Sequence, residues 1–211
     1  MPADTSHLKL YTAAPSRGSI ARWMLEEIGA PYEVELIDLK AGDQRRPAYL
    51  ALNPMGKVPT LVHDGVAISE AAAICCYLAD AFPDAGLAPP IGDKRRGPYL
   101  KWLFFAPACI EPVMIEKAVN REPAPRGTAG WGDYDTVVSV LRAALAKGPY
   151  LLGEQFTAAD VVVGATIRWG MLFNLLPHPP EFRDYLARLS ARPAMQRQIA
   201  LDAAPAQQAS G

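Results

Sequence analysis

The 211 residues suffice to bury one sizeable core or two small ones, and a composition half apolar and one-fifth charged excludes disorder. A formal charge of −1 leaves no electrostatic basis for holding nucleic acid or an anionic membrane, and no apolar run reaches the ~18 residues of a membrane helix. Met1 to Leu10 lacks the apolar stretch of a signal peptide, and three cysteines (Cys75, Cys76, Cys109) make a poor disulfide framework, so the expectation is a cytoplasmic protein with reduced thiols.

Leu8 to Tyr11 alternates like a short strand. From Ser16 the spacing turns helical, with Ile20, Met24 and Ile28 on one face, and Gly29 followed by Pro31 stops the helix. Tyr32, Val34 and Leu36 alternate with Glu33 and Glu35 as a second strand. Two strands joined by one helix read as a parallel βαβ unit. A short helical piece, Pro47 to Leu52, leads to Asn53-Pro54. Val58 to His63 and Val66 to Ile68 flank Asp64-Gly65, a strong hairpin signal. Ser69 then opens a helix running to about Ala81. This part therefore reads β-α-β-α-β-β-α.

Phe82 to Gly92 is rich in Pro and Gly and reads as a linker. Everything beyond it reads helical: a long stretch from Lys94 to Val119 with kinks or breaks expected at Pro98, Pro107 and Pro112, then Tyr134 to Lys147, Thr157 to about Leu176, Glu181 to Ser190, and a last helix from Pro193. Asn120 to Gly132 reads as a loop and Ala203 to Gly211 as a frayed tail.

Several motifs sit at junctions between these elements. They are Pro15-Ser16-Arg17-Gly18, the run Asn53-Pro54-Met55-Gly56-Lys57-Val58-Pro59-Thr60-Leu61, Ser69-Glu70, and Phe156-Thr157-Ala158-Ala159-Asp160. Their order and spacing resemble the cytosolic glutathione transferases over nearly the whole chain, above all bacterial and fungal members with Ser-Arg at the first of these points. The resemblance implies an α/β plus all-α fold: a thioredoxin-like, glutathione-binding domain at 1–81, a linker at 82–91, and an all-helical bundle domain at 92–211 holding the electrophile.

In such proteins the Val58-Pro59 bond resembles a cis-proline site whose Val58 backbone meets the cysteinyl part of glutathione; on the residues alone it reads as a trans proline opening an edge strand. Ser69 and the helix start would take the γ-glutamyl carboxylate and Glu70 the ammonium; the bland alternative is an ordinary helix cap. Ser16 is the candidate for activating the thiol, with Arg17 or Tyr11 as the other possibilities, and it too reads as a plain N-cap. Arg45 and Lys57 are candidates for the glycine carboxylate. Trp102, Phe104, Phe105, Ile110 and Met114 on the long helix, with Trp169 and Met171 later, are candidate walls for the hydrophobic substrate, although an aromatic stripe at helical spacing is more often core. Thr157 with Asp160 reads as a capping box serving stability.

The implied activity is conjugation of the glutathione thiolate to a small hydrophobic electrophile, with the electrophile in a pocket between the domains of a homodimer. Isomerisation, dehalogenation, ether cleavage and peroxide reduction on the same scaffold are the alternatives, together with a non-catalytic binding protein or a translation-linked accessory domain. His7, His63 and His178 lie far apart and no Cys/His cluster has metal spacing, so no metal is expected.

Overall fold

The computed structural model describes residues 7–125 and 127–204. Four strands, β1 (Leu8–Thr12), β2 (Glu33–Leu36), β3 (Thr60–His63) and β4 (Val66–Ser69), form one sheet in the order β2-β1-β3-β4. The expected βαβ unit is present: β1 and β2 pair in parallel on either side of helix α1 (Gly18–Ile28). The β3–β4 hairpin turns at Asp64-Gly65, with β3 antiparallel to both neighbours. Leu8, Leu10 and Thr12 are buried while Lys9 and Tyr11 are only partly so, as a half-buried strand requires. Gly29 ends α1 in the left-handed conformation, its N–H on the Leu25 carbonyl.

The short α2 (Pro47–Leu52) has proline in its first turn and ends at Asn53. Helix α3 (Ala71–Ala81) begins two residues later than the sequence predicts. Ser69 is spent as the last residue of β4, paired with Thr60, and Glu70 makes the corner in the left-handed region at φ 69°. Strand pairing has overridden the local preference of serine for a helix cap.

The remaining helices are α4 (Arg96–Phe105), α5 (Glu111–Ala118), α6 (Tyr134–Leu145), α7 (Ala158–Leu172), α8 (Pro180–Ser190) and α9 (Pro193–Ala203). The prolines of the long stretch do not break it. Pro98 and Pro112 fall in the first turns of α4 and α5, and Pro107 lies in a π-helical turn, Ala106–Ile110, that joins the two. A widened turn tolerates the absence of the N–H that proline lacks.

Contacts divide the described residues into two units. One runs up to Leu78 and includes the segment from Pro193; the other is Ala79–Arg192. The sequence predicts one helical domain over 92–211, whereas α9 packs along α1 of the first unit. Polar groups tie that contact: Asp202 accepts from Ser19 Oγ at 2.5 Å and Arg22 Nη1 at 2.6 Å, and Arg197 Nε donates to Glu26 at 2.8 Å, while Gln198 Nε2 on α9 itself steadies Asp202 at 2.5 Å. Ala203 closes α9, and the rest of the expected tail, from residue 205, lies outside the described residues.

In the second unit the capping box is formed as expected. The buried Asp160 carboxylate accepts from the Thr157 N–H (2.9 Å) and hydroxyl (3.1 Å), the Leu151 N–H (2.9 Å) and the Tyr185 hydroxyl (2.9 Å). Asp160 therefore links the start of α7 to α8 and to the preceding loop.

Candidate functional site

Three chain segments meet at one end of the sheet: the turn from β1 into α1, the run into β3, and the corner from β4 into α3. Register holds the last two together, since Thr60 pairs with Tyr11 on one side and with Ser69 on the other.

At the first segment Ser16 caps α1 from just outside it. Its Oγ accepts from the Gly18 N–H at 2.9 Å and its hydroxyl donates to the Ala13 carbonyl. The next N–H groups are also engaged, Ser19 on the Ser16 carbonyl at 3.2 Å and Ile20 on that of Arg17 at 3.1 Å. The helix end thus offers its dipole and the exposed Arg17 to an anion, together with one serine proton that can turn. Gly18 is required for space: a Cβ there would lie 1.9 Å from Thr12 Oγ1 and 3.0 Å from Ser16 Oγ. The start of α1 is pressed that closely against the end of β1.

Tyr11 does not join Ser16 and Arg17. Successive residues of a strand point to opposite faces, and Thr12 is the one that meets the start of α1. Tyr11 instead packs edge-to-face on Tyr49, 6.0 Å between centroids, and lines a cleft of about 230 Å³ with Glu35, Ile37, Asp43, Arg46 and Tyr49.

At the second segment the Val58–Pro59 bond is cis, and Ala14–Pro15, unsignalled in the sequence, is cis as well. Lys57 is exposed, and its carbonyl is held by two side chains with no predicted role in binding: Tyr49 Oη at 2.5 Å and Asn53 Nδ2 at 2.8 Å. Burial pushes the Tyr49 phenol above its ordinary value, so this group is a donor at neutral pH. Arg45 ends the 3-10 turn Asp43–Arg45 and is exposed. At the third segment Glu70 is exposed and Ser69 half-buried. A left-handed non-glycine residue costs of order 1 kcal/mol and is tolerated where the surroundings demand it.

In the helical unit Trp102 and Phe105 meet edge-to-face at 5.3 Å. Trp102, Ile110 and Met114 are buried, while Phe105 is half-buried and Phe104 is 58% exposed. Trp169 lies 5.3 Å from the ring of Phe173 and is half-buried like Met171. Burial pushes the Cys75 thiol well up, and it also raises that of Cys109 in the π turn. No cysteine lies near the start of α1. Among the described residues no group of three or more His, Cys, Asp or Glu is placed to hold a metal ion, and no helix is long and apolar enough to cross a membrane.

Residues 18–81 match the family model for the glutathione S-transferase N-terminal domain, and 118–188 that for the C-terminal domain. The chain is 33% identical over 168 residues to glutathione S-transferase hmp2 of Hypomyces subiculosus, covering 73% of this chain and 78% of that one. It is 27% identical to the disulfide-bond oxidoreductase YfcG of Escherichia coli, over 89% of this chain and 92% of that one. A solved sphingomonad glutathione S-transferase complexed with glutathione superposes with a TM-score of 0.75 at 26% identity, over 92% of this chain and 98% of that one. Sheet order, the motifs at one end of the sheet and these matches agree: this chain belongs to the glutathione S-transferase family.

Proposed function

We propose that the protein conjugates the glutathione thiolate to small hydrophobic electrophiles, with residues 1–81 holding glutathione. The observation that carries this reading is the start of α1, where Ser16 and Arg17 stand and the cysteines are absent. A hydroxyl, a guanidinium and a helix N-terminus all favour a bound thiolate over a thiol, which otherwise has a pKa of ~8.5. The cysteinyl part takes the Val58 backbone, Glu70 the γ-glutamyl ammonium, Ser69 with the start of α3 its carboxylate, and Lys57 or Arg45 the glycine carboxylate. Tyr11 packs on Tyr49, and the reading favours Ser16 and Arg17, at the start of α1, for activation. Phe105 and Trp169, half-buried, are the better candidates for contact with the electrophile, with the buried Trp102 and Met114 backing them. The working form is a cytoplasmic homodimer.

The likeness to YfcG favours a second reading, exchange between glutathione and a disulfide substrate without a protein thiol. Calorimetric binding of glutathione to wild type and Ser16→Ala, with thiolate absorbance followed against pH, tests the first reading. Wild type should bind and lower the thiol pKa, and Ser16→Ala should bind with that shift reduced. Absence of binding at millimolar glutathione sinks both readings; turnover of a small alkyl disulfide but not of an aryl halide selects the second.

A further inference from the structure

We infer that Tyr49 and Asn53 are positioning residues that aim the Val58 N–H at glutathione, an assignment that rests on the glutathione-binding reading above. The hydrogen bonds around the Lys57 carbonyl form a closed set. Tyr49 Oη donates to Lys57 O at 2.5 Å, and Asn53 Nδ2 donates to the same oxygen at 2.8 Å. With its one proton used, Tyr49 Oη accepts from the Thr60 hydroxyl, 2.9 Å away. Asn53 Nδ2 spends its second proton on Thr60 Oγ1 at 3.2 Å, and Asn53 Oδ1 accepts from the Met55 N–H at 3.1 Å. Every donor of the set is used, and Tyr49, Asn53 and Thr60 are 4%, 3% and 0% exposed.

The geometry of one peptide turns this set into a pointing device. The Lys57–Val58 peptide is trans, so its C=O and N–H point in opposite directions. Two buried side chains hold the carbonyl inward, and the Val58 N–H is thereby directed outward. That N–H stands ahead of β3, which begins at Thr60, so the β3 ladder does not claim it. The same set holds Thr60, whose strand partner is Ser69, so it backs two of the three segments that would hold glutathione. A phenylalanine at position 49 would fill the same apolar space; the hydroxyl serves the orientation of the 57–58 peptide.

The test is steady-state kinetics and calorimetry on Tyr49→Phe, with Thr60→Val and Thr60→Ser as a second pair. Losing one hydrogen bond to the Lys57 carbonyl should raise the glutathione Kd and KM about fivefold, leaving kcat and the pKa of the bound thiol as in wild type. Thr60→Val should do the same and Thr60→Ser should bind like wild type, which separates orientation from packing. A Kd for Tyr49→Phe within twofold of wild type, whatever its stability, overturns the inference, as does equal weakening by Thr60→Ser and Thr60→Val. A wild type that does not bind glutathione overturns the functional reading itself, and the inference with it.

Discussion

Replacing Asp160 by alanine removes an acceptor from the centre of the helical unit without touching the glutathione site. The carboxylate accepts four hydrogen bonds, and only two of the donors, both hydroxyls, have a means of recovery. The Thr157 hydroxyl can rotate and the Tyr185 hydroxyl has the Asp160 carbonyl 3.4 Å away. The Leu151 and Thr157 N–H groups can only be stranded, at about 1–3 kcal/mol each. Against this, burial pushes the Asp160 carboxyl above its ordinary value, so dehydrating it already costs something that alanine returns. The balance is a loss of about 3 kcal/mol, or roughly 10 °C in Tm for a chain of this length. Urea unfolding and a thermal scan of Asp160→Ala beside wild type measure it. The raised carboxyl also sets a sign. The folded chain keeps this proton to higher pH than the unfolded chain, so its contribution is full below the ordinary carboxylate value and is lost as pH rises through the folded one. Asp160→Asn should flatten that limb. An alanine variant within 1 kcal/mol of wild type would refute the reasoning, because it would mean that neither stranded N–H carries its desolvation cost.

Two further outcomes follow from close contacts in the first unit. Asp202→Ala leaves Arg22, 5% exposed, without its 2.6 Å partner, and should destabilise the chain by about 3–5 kcal/mol in urea unfolding; Arg22→Met combined with Asp202→Leu should recover most of that loss. Gly18→Ala drives a Cβ to within 1.9 Å of Thr12 Oγ1 and should cost about 1–3 kcal/mol along with glutathione affinity; adding Thr12→Ala should restore both, and a double-mutant cycle without coupling would exclude the clash as the cause.

Much of the sheet domain was legible because its signals are local. Asp64-Gly65 between two β-rich runs marks a hairpin whatever surrounds it, and Gly29 ends α1 where the pattern ends. The errors arise where a distant partner decides. Ser69 is a good helix cap in isolation, yet pairing with Thr60 claims it and moves the corner to Glu70. Nothing in the local sequence of α9 says that Asp202 will meet Arg22, 180 positions away. Pro107 reads as a kink or a break, and the choice of a widened turn in place of a break depends on packing that includes α7. At the site, Ser16, Val58, Pro59, Ser69 and Glu70 were legible as junction residues. Tyr49 and Asn53 were not, since the Lys57 carbonyl that they hold is one that only the fold brings to them.

If Ser16 activates the thiol as proposed, its hydrogen bonds set how strongly it can do so. Its hydroxyl proton rests on the Ala13 carbonyl, and its oxygen is held by the Gly18 N–H. Turning that proton toward a sulfur forfeits a neutral hydrogen bond worth about 1 kcal/mol. A neutral thiol is a weak acceptor and does not repay the loss, so the resting geometry persists. A thiolate accepts a charge-assisted bond about twice as strong, and the proton turns. The serine therefore discriminates between the two protonation states by about 1 kcal/mol, which corresponds to a lowering of the thiol pKa by somewhat under one unit. Ser16→Ala should raise the pKa of bound glutathione by that amount, and any lowering that survives in the variant belongs to Arg17 and the α1 dipole. A rise of two units or more would mean that the serine proton already faces the sulfur before the thiol ionises.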